Sequence, residues 1–201
     1  MFLTLVIILV VFVIAFVTFL TITRKMTSET FVNFCKKKVT TISRRKNLYA
    51  IANLNIQTLD NERLNVNHVI FGRKYIYLIS DFMLKGFVSG EACDNSWVYY
   101  NNVKKSNHYL RNLNKFSDKN IRDFSGILNI SSDLIVSICL VPNECDFKIE
   151  NAESDKKLIV HYSSLGRKID EFEQQNIGSL DQEQIYEQFK AIKSQNNEER
   201  R

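Results

Sequence analysis

The residues able to do chemistry are few and dispersed. His68 stands near the start of a stretch, residues 67–82, that ends in Tyr-Leu-Ile-Ser-Asp-Phe, and Asp81, Lys85 and Glu91 are the charged groups at or just beyond its end. A hydrolytic site of the carboxylate type holds a hard divalent cation between converging acids, with a lysine nearby to orient water or stabilise developing charge. Those types are the ones to look for, because the chain has no Gly-rich phosphate loop, no Ser-His-Asp spacing and no Cys/His metal pattern. His68, His108 and His161 are too scattered to nominate a ligand set and read as structural or surface residues. Cys35, Cys93, Cys139 and Cys145 form no CxxC pair and read as reduced thiols in a reducing compartment.

Two β-branched and aromatic runs, residues 69–71 and 75–79, flank Gly72-Arg73-Lys74, the pattern of a β-hairpin with a short Gly-containing loop. Phe82-Met83-Leu84-Lys85-Gly86 follows, then Val88-Ser89-Gly90 and Trp97. This order resembles the NERD (nuclease-related) domain, a branch of the restriction-endonuclease-like fold. That family's core carries an Asp-His-apolar-apolar strand, a Gly turn, an apolar-apolar-Asp/Glu-x-Lys strand, a Gly-containing segment and a Trp. His68 falls on the family His, Ile79 on the residue before the acid, Gly86 on the later Gly, and Trp97 near the family Trp; Gly72 comes earlier than the usual turn glycine. Asn67 stands where the family has its metal-binding Asp, Ser80 where it has Asp or Glu, and Phe82 where it has Lys. The resemblance therefore implies a mixed α/β sheet flanked by helices in which Asn67, Ser80 and Phe82 are vestigial positions, with no catalytic residue, cofactor or metal.

Asp81, one residue along from the expected acid, is the natural replacement. Neighbours in a strand point to opposite faces, so Asp81 is expected to look away from Asn67's side, and Lys85 shares the parity of Asp81 rather than of Phe82. Nothing local demands a bulge. Parity thus favours an inactive site over a metal-dependent nuclease that has relocated its acids to Asp81 and Glu91 and takes up Mg or Mn. Glu29 is the only acid available for the Glu of the family's first helix, and it reads as a solvated side chain.

The elements that would position this stretch begin with a membrane anchor. Residues 2–22 carry no charge, and at ~1.5 Å per residue they are long enough to cross a hydrocarbon core of about 30 Å. No positive flank precedes them and no small-x-small cleavage site follows, which favours an uncleaved transmembrane helix over a signal peptide. Between residues 24 and 46 stand eight Lys or Arg against Glu29 alone, leaving −2 of the chain's total of +5 for everything else. By the positive-inside rule the bulk of the chain faces the cytoplasm, as a single-pass protein of the cell membrane. The basic stretch can also attract anionic lipid, at roughly 1 kcal/mol per basic residue near the surface. A slightly acidic remainder gives little support to nucleic acid as partner and leaves a protein partner open. Cys35 invites a competing reading as an S-palmitoylation site.

Organisation follows as a transmembrane helix (1–23), a basic juxtamembrane segment (24–46), a NERD-like α/β domain (47–177) and a C-terminal helix with polar tail (178–201). Phe31, Phe34 and Cys35 at helical spacing predict a helix beyond the membrane. Residues 48–56, 64–69, 75–84 and 87–88 predict an antiparallel meander. Tyr99 and Tyr100 read as packing at the sheet's rim, with a stacking platform for single strands as the functional alternative. From Ser106 the spacing predicts two helices, one with Tyr109, Leu110, Leu113 and Phe116, the other with Ile121, Phe124 and Leu128, broken and capped at Ser117-Asp118. Residues 134–141 and 158–162 read as strands buried on both faces. Ser163-Ser164 is expected to cap a helix carrying Leu165, Ile169 and Phe172, and Ser179 with Gln182 a capping box for the last helix, with residues 196–201 frayed.

Overall fold

A computed structural model describes residues 27–58, 60–150 and 156–199. The expected transmembrane helix lies outside these residues, and among them no helix is long and apolar enough to cross a membrane. The chain is mixed α/β, with two mixed sheets flanked by helices.

The first helix, α1 (Ser28–Lys46), starts where Thr27 accepts from the Thr30 N–H and stops at Asn47, whose left-handed backbone suits asparagine. Its Phe31, Cys35, Val39 and Ile42 recur at helical spacing and are all buried, so this basic segment is one wall of the core. β1 (Tyr49–Gln57), β2 (Arg63–Phe71) and β3 (Ile76–Asp81) form an antiparallel meander, closed at the hairpin by Phe71 opposite Ile76. Gly72 is required in that turn, because a Cβ there would collide with the Glu173 carboxylate and the Tyr75 carbonyl.

After β3 the chain leaves this sheet. Gly86 has φ +144° and lies against the Tyr100 carbonyl, a conformation and a gap that only glycine fits. The segment at 87–88, expected as the meander's last strand, belongs instead to β4 (Gly86–Glu91) of a second sheet. With it are β5 (Ser96–Asn101), β6 (Ser106–Arg111) and β8 (Cys145–Glu150), in the order β6-β5-β4-β8, the last parallel to β4 and not foreseen. Tyr109, expected on a helix, is 87 % exposed on the edge strand β6.

One helix, α2 (Leu113–Leu128), replaces the two expected. Its cap is Asn112, whose side chain accepts from the N–H groups of Asn114 and Lys115; Ser117, read as a break, is a buried mid-helix residue whose hydroxyl accepts from Ser137. β7 (Ile135–Val141) is buried at every position and runs parallel to β3, and β9 (Lys157–His161) lies beyond it as an edge, giving the order β1-β2-β3-β7-β9. A short 3-10 turn leads into α3 (Leu165–Glu173), whose Ser164 makes no side-chain cap bond. The final helix, α4 (Gln182–Glu198), is capped by Asp181 rather than Ser179. It does not fray at Asn196, which is 2 % exposed with its side-chain oxygen on the Asn55 N–H.

Helices α1 and α3 cover one face of the five-stranded sheet, and α2 and α4 the other. In β2, Leu64 and Val66 share the α2/α4 side with Val69 and Phe71, so the alternation slips by one residue; β1 slips at the same level, between Ile51 and Leu54. Asn53, with φ 53°, sits at that step across from Asn67. From there His68, Ile70, Ile79 and Asp81 fall under α1.

Candidate functional site

The hairpin register builds the site. Phe71 opposite Ile76 puts His68 opposite Ile79 on the adjacent strand, and Asp81, two residues on, shares Ile79's face. Asp81 Oδ2 lies 3.0 Å from His68 Nε2, and the two side chains are 0 % and 1 % exposed. Against a carboxylate oxygen, Nε2 is assigned as the nitrogen that carries the proton. From α1 above, Cys35 reaches the same carboxylate. Burial first, then the nearby charge of Asp81, hold the Cys35 thiol protonated well above its ordinary range. Two buried atoms of the cluster, His68 Nδ1 and Asp81 Oδ1, have no hydrogen-bond partner.

The position beside Asp81 is used differently. Asn67 Oδ1 accepts the main-chain N–H of Asp81 at 3.0 Å. Asn67 therefore fixes the backbone of β3 while the Asp81 carboxylate goes to His68 under α1. Ser80 is 4 % exposed and pairs in register with Cys139 of β7. The Phe82 ring packs edge-to-face on Phe116 of α2, with centroids 5.7 Å apart, and its N–H donates to the Leu140 carbonyl. Lys85 is held through its main chain by the Tyr99 hydroxyl.

The remaining expected acids stand apart from this cluster. Glu29 is exposed in the first turn of α1. Glu91 is exposed at the far end of β4 in the second sheet, opposite Glu150. Among the described residues no set of three or more His, Cys, Asp or Glu side chains is arranged to hold a metal ion. Of the other histidines, His161 Nε2 meets the Cys145 carbonyl at 2.7 Å, and His108 meets the Ser106 hydroxyl. Cys35 is fully buried against the sheet, so the reading of it as a palmitoylation site is corrected: its sulfur is inside the protein.

Sequence reasoning missed the partnership of His68, Asp81 and Cys35. The signal was available in part, because the hairpin turn alone dictates that His68 and Asp81 share a face. Cys35 comes from the distant α1, and no local pattern announces it.

Beside His68 lies a cavity of about 210 Å³ between α1 and the first two strands, lined among others by Thr40, Ser43, Arg44, Ala50 and Ala52. It exists because Ala50 and Ala52, on β1, are too small to fill the space beneath the helix; Ala52 is the register partner of His68.

No family model matches this chain, and neither the curated proteins nor the solved structures contain a significant match to it.

Proposed function

We propose that the chain is a membrane-anchored, cytoplasm-facing NERD-like domain without nuclease chemistry, acting by binding or scaffolding at the membrane. The observation that carries this reading is the direction of Asp81. The one acid at the end of β3 is turned under α1 onto His68 with no exposed side-chain surface, so it has no face to offer a metal-bound phosphodiester. The aromatic contact of Phe82 with Phe116 and the backbone bond made by Asn67 give two of the three vestigial positions packing and positioning roles.

Support for the scaffold is topological. A helix, an antiparallel three-stranded meander, a covering helix and a strand parallel to the third make the kind of mixed sheet flanked by helices that the resemblance implies. Support for the anchor is the uncharged run at residues 2–22 followed by Lys and Arg. With about 28 Å between the ends of α1, its basic residues are strung along the helix rather than gathered at one level.

The test uses the full chain in detergent, incubated with DNA and with RNA in Mg²⁺ or Mn²⁺. Both nucleic acids are expected to stay intact; metal-dependent cleavage that disappears in Asp81→Asn or Glu91→Gln would overturn the reading. In cells, the chain is expected to remain with the membrane pellet after alkaline carbonate extraction, and its release would remove the anchor.

A further inference from the structure

The geometry points to the cavity beside His68 as a binding site for a small carboxylate bearing a hydrogen-bond donor on the neighbouring carbon, such as a 2-hydroxy or 2-amino acid. Three observations carry it: an unpartnered, fully buried ring nitrogen on a residue lining the cavity, hydroxyl oxygens with free lone pairs, and a cation at the rim.

With Nε2–H given to Asp81, the other nitrogen of a neutral His68 ring is an acceptor, and Nδ1 has no partner. A buried polar atom left in that state is costly, on the order of 1–3 kcal/mol, unless something fills it. The hydroxyls of Thr40 and Ser43 donate to the carbonyls of Lys36 and Thr40 within α1, so their lone pairs remain as acceptors. The lining thus asks for a donor. The Arg44 side chain is exposed and makes no ion pair or hydrogen bond among the described residues, so its guanidinium is free for an anion. Ala50 and Ala52 provide an apolar wall.

At about 30 Å³ per water, the cavity holds the equivalent of roughly seven waters, the size of a molecule of six or seven heavy atoms. A ligand that small carries its donor within a carbon or two of the carboxylate, and the 2-hydroxy and 2-amino acids are the most compact that do. A nucleic-acid phosphate satisfies neither requirement, since it carries no donor and its chain does not fit. Thr40, Ser43 and Arg44 lie outside the hairpin motif, so the inference stands whether or not the scaffold is NERD-like.

The chain contains three histidines, which makes the readout direct. The full chain, labelled with ¹⁵N-histidine in detergent micelles, is titrated with L-lactate, L-alanine and propionate; resonances are assigned with His108→Gln and His161→Gln. L-Lactate or L-alanine is expected to shift the His68 resonances saturably. Propionate, which has the size and charge but no donor, is expected to bind about tenfold more weakly, as is the active ligand to Arg44→Ala. Arg44 is on the outer side of α1, so this variant keeps the fold, and a thermal melt checks it. Absence of any His68 shift with lactate and alanine, which leaves the cavity to water alone, would overturn the proposal. Equal potency of propionate, or undiminished binding to Arg44→Ala, would overturn it as well.

Discussion

Removing the Asp81 carboxylate leaves the His68 Nε2–H without a partner inside the sheet, and orphaning a buried donor costs about 1–3 kcal/mol. Asp81→Ala is expected to lower the unfolding free energy by that amount in urea titration. An acid kept free for metal binding would behave in the opposite way, since removing an isolated buried charge stabilises; a stability change below about 1 kcal/mol would contradict the pairing. The buried thiols supply a pH dependence of known sign. Burial raises Cys139 from 9.0 to about 12 and Cys145 from 9.0 to about 11, with the Ser117 hydrogen bond opposing at Cys139 and Asp146 assisting at Cys145. A pKa raised in the folded state means that the unfolded chain loses its protons first as pH rises. Their contribution is therefore complete below pH 9 and lost between about 9 and 12. Cys139→Ala is expected to flatten that decline in denaturation curves taken across this window, and an unchanged slope would contradict it.

Among the elements, α2 offers the sharpest contrast between what the chain spells out and what it conceals. Asn112 caps the helix and its amide donates to the carbonyls of Ala92 and Asp94, tying the helix start to the turn between β4 and β5. Asn112→Ala is expected to cost about 2–3 kcal/mol, the sum of a lost cap and two half-buried carbonyls left without their donor. Asp118→Ala, at the exposed position expected to be a cap, is expected to change stability by less than about 0.5 kcal/mol. Comparable losses in thermal unfolding would contradict the helix boundary. The hairpin was legible because its turn and its apolar runs are local, and β7 because seven consecutive residues need burial on both faces. The second sheet was not. Tyr109, Leu110, Leu113 and Phe116 mimic a helical stripe across a strand, a cap and a helix, and β8 is recruited beside β4 from more than fifty residues away, a long-range pairing that no local spacing encodes. The candidate site divided in the same way: Asn67, Ser80, Asp81 and Phe82 could be read from strand parity, whereas Cys35 and the cavity required α1 to be docked.

For the whole molecule, docking of α1 decides which groups meet solvent. Cys93 is the exposed thiol, while Cys35, Cys139 and Cys145 are buried. A thiol reagent at pH 8 is expected to modify one cysteine per folded chain and four after denaturation; rapid reaction of Cys35 in the folded chain would mean that α1 is not seated on the sheet. The same docking commits Asp81 to the interior, and on that commitment the reading of a nuclease-like scaffold without nuclease chemistry depends. The measurement that bears on it most directly is calorimetric titration of Mn²⁺ into the full chain. No saturable one-to-one heat is predicted, because the Asp81 carboxylate already faces His68 and Asn67 holds only its backbone. A stoichiometric binding heat that vanishes in Asp81→Asn would contradict the account.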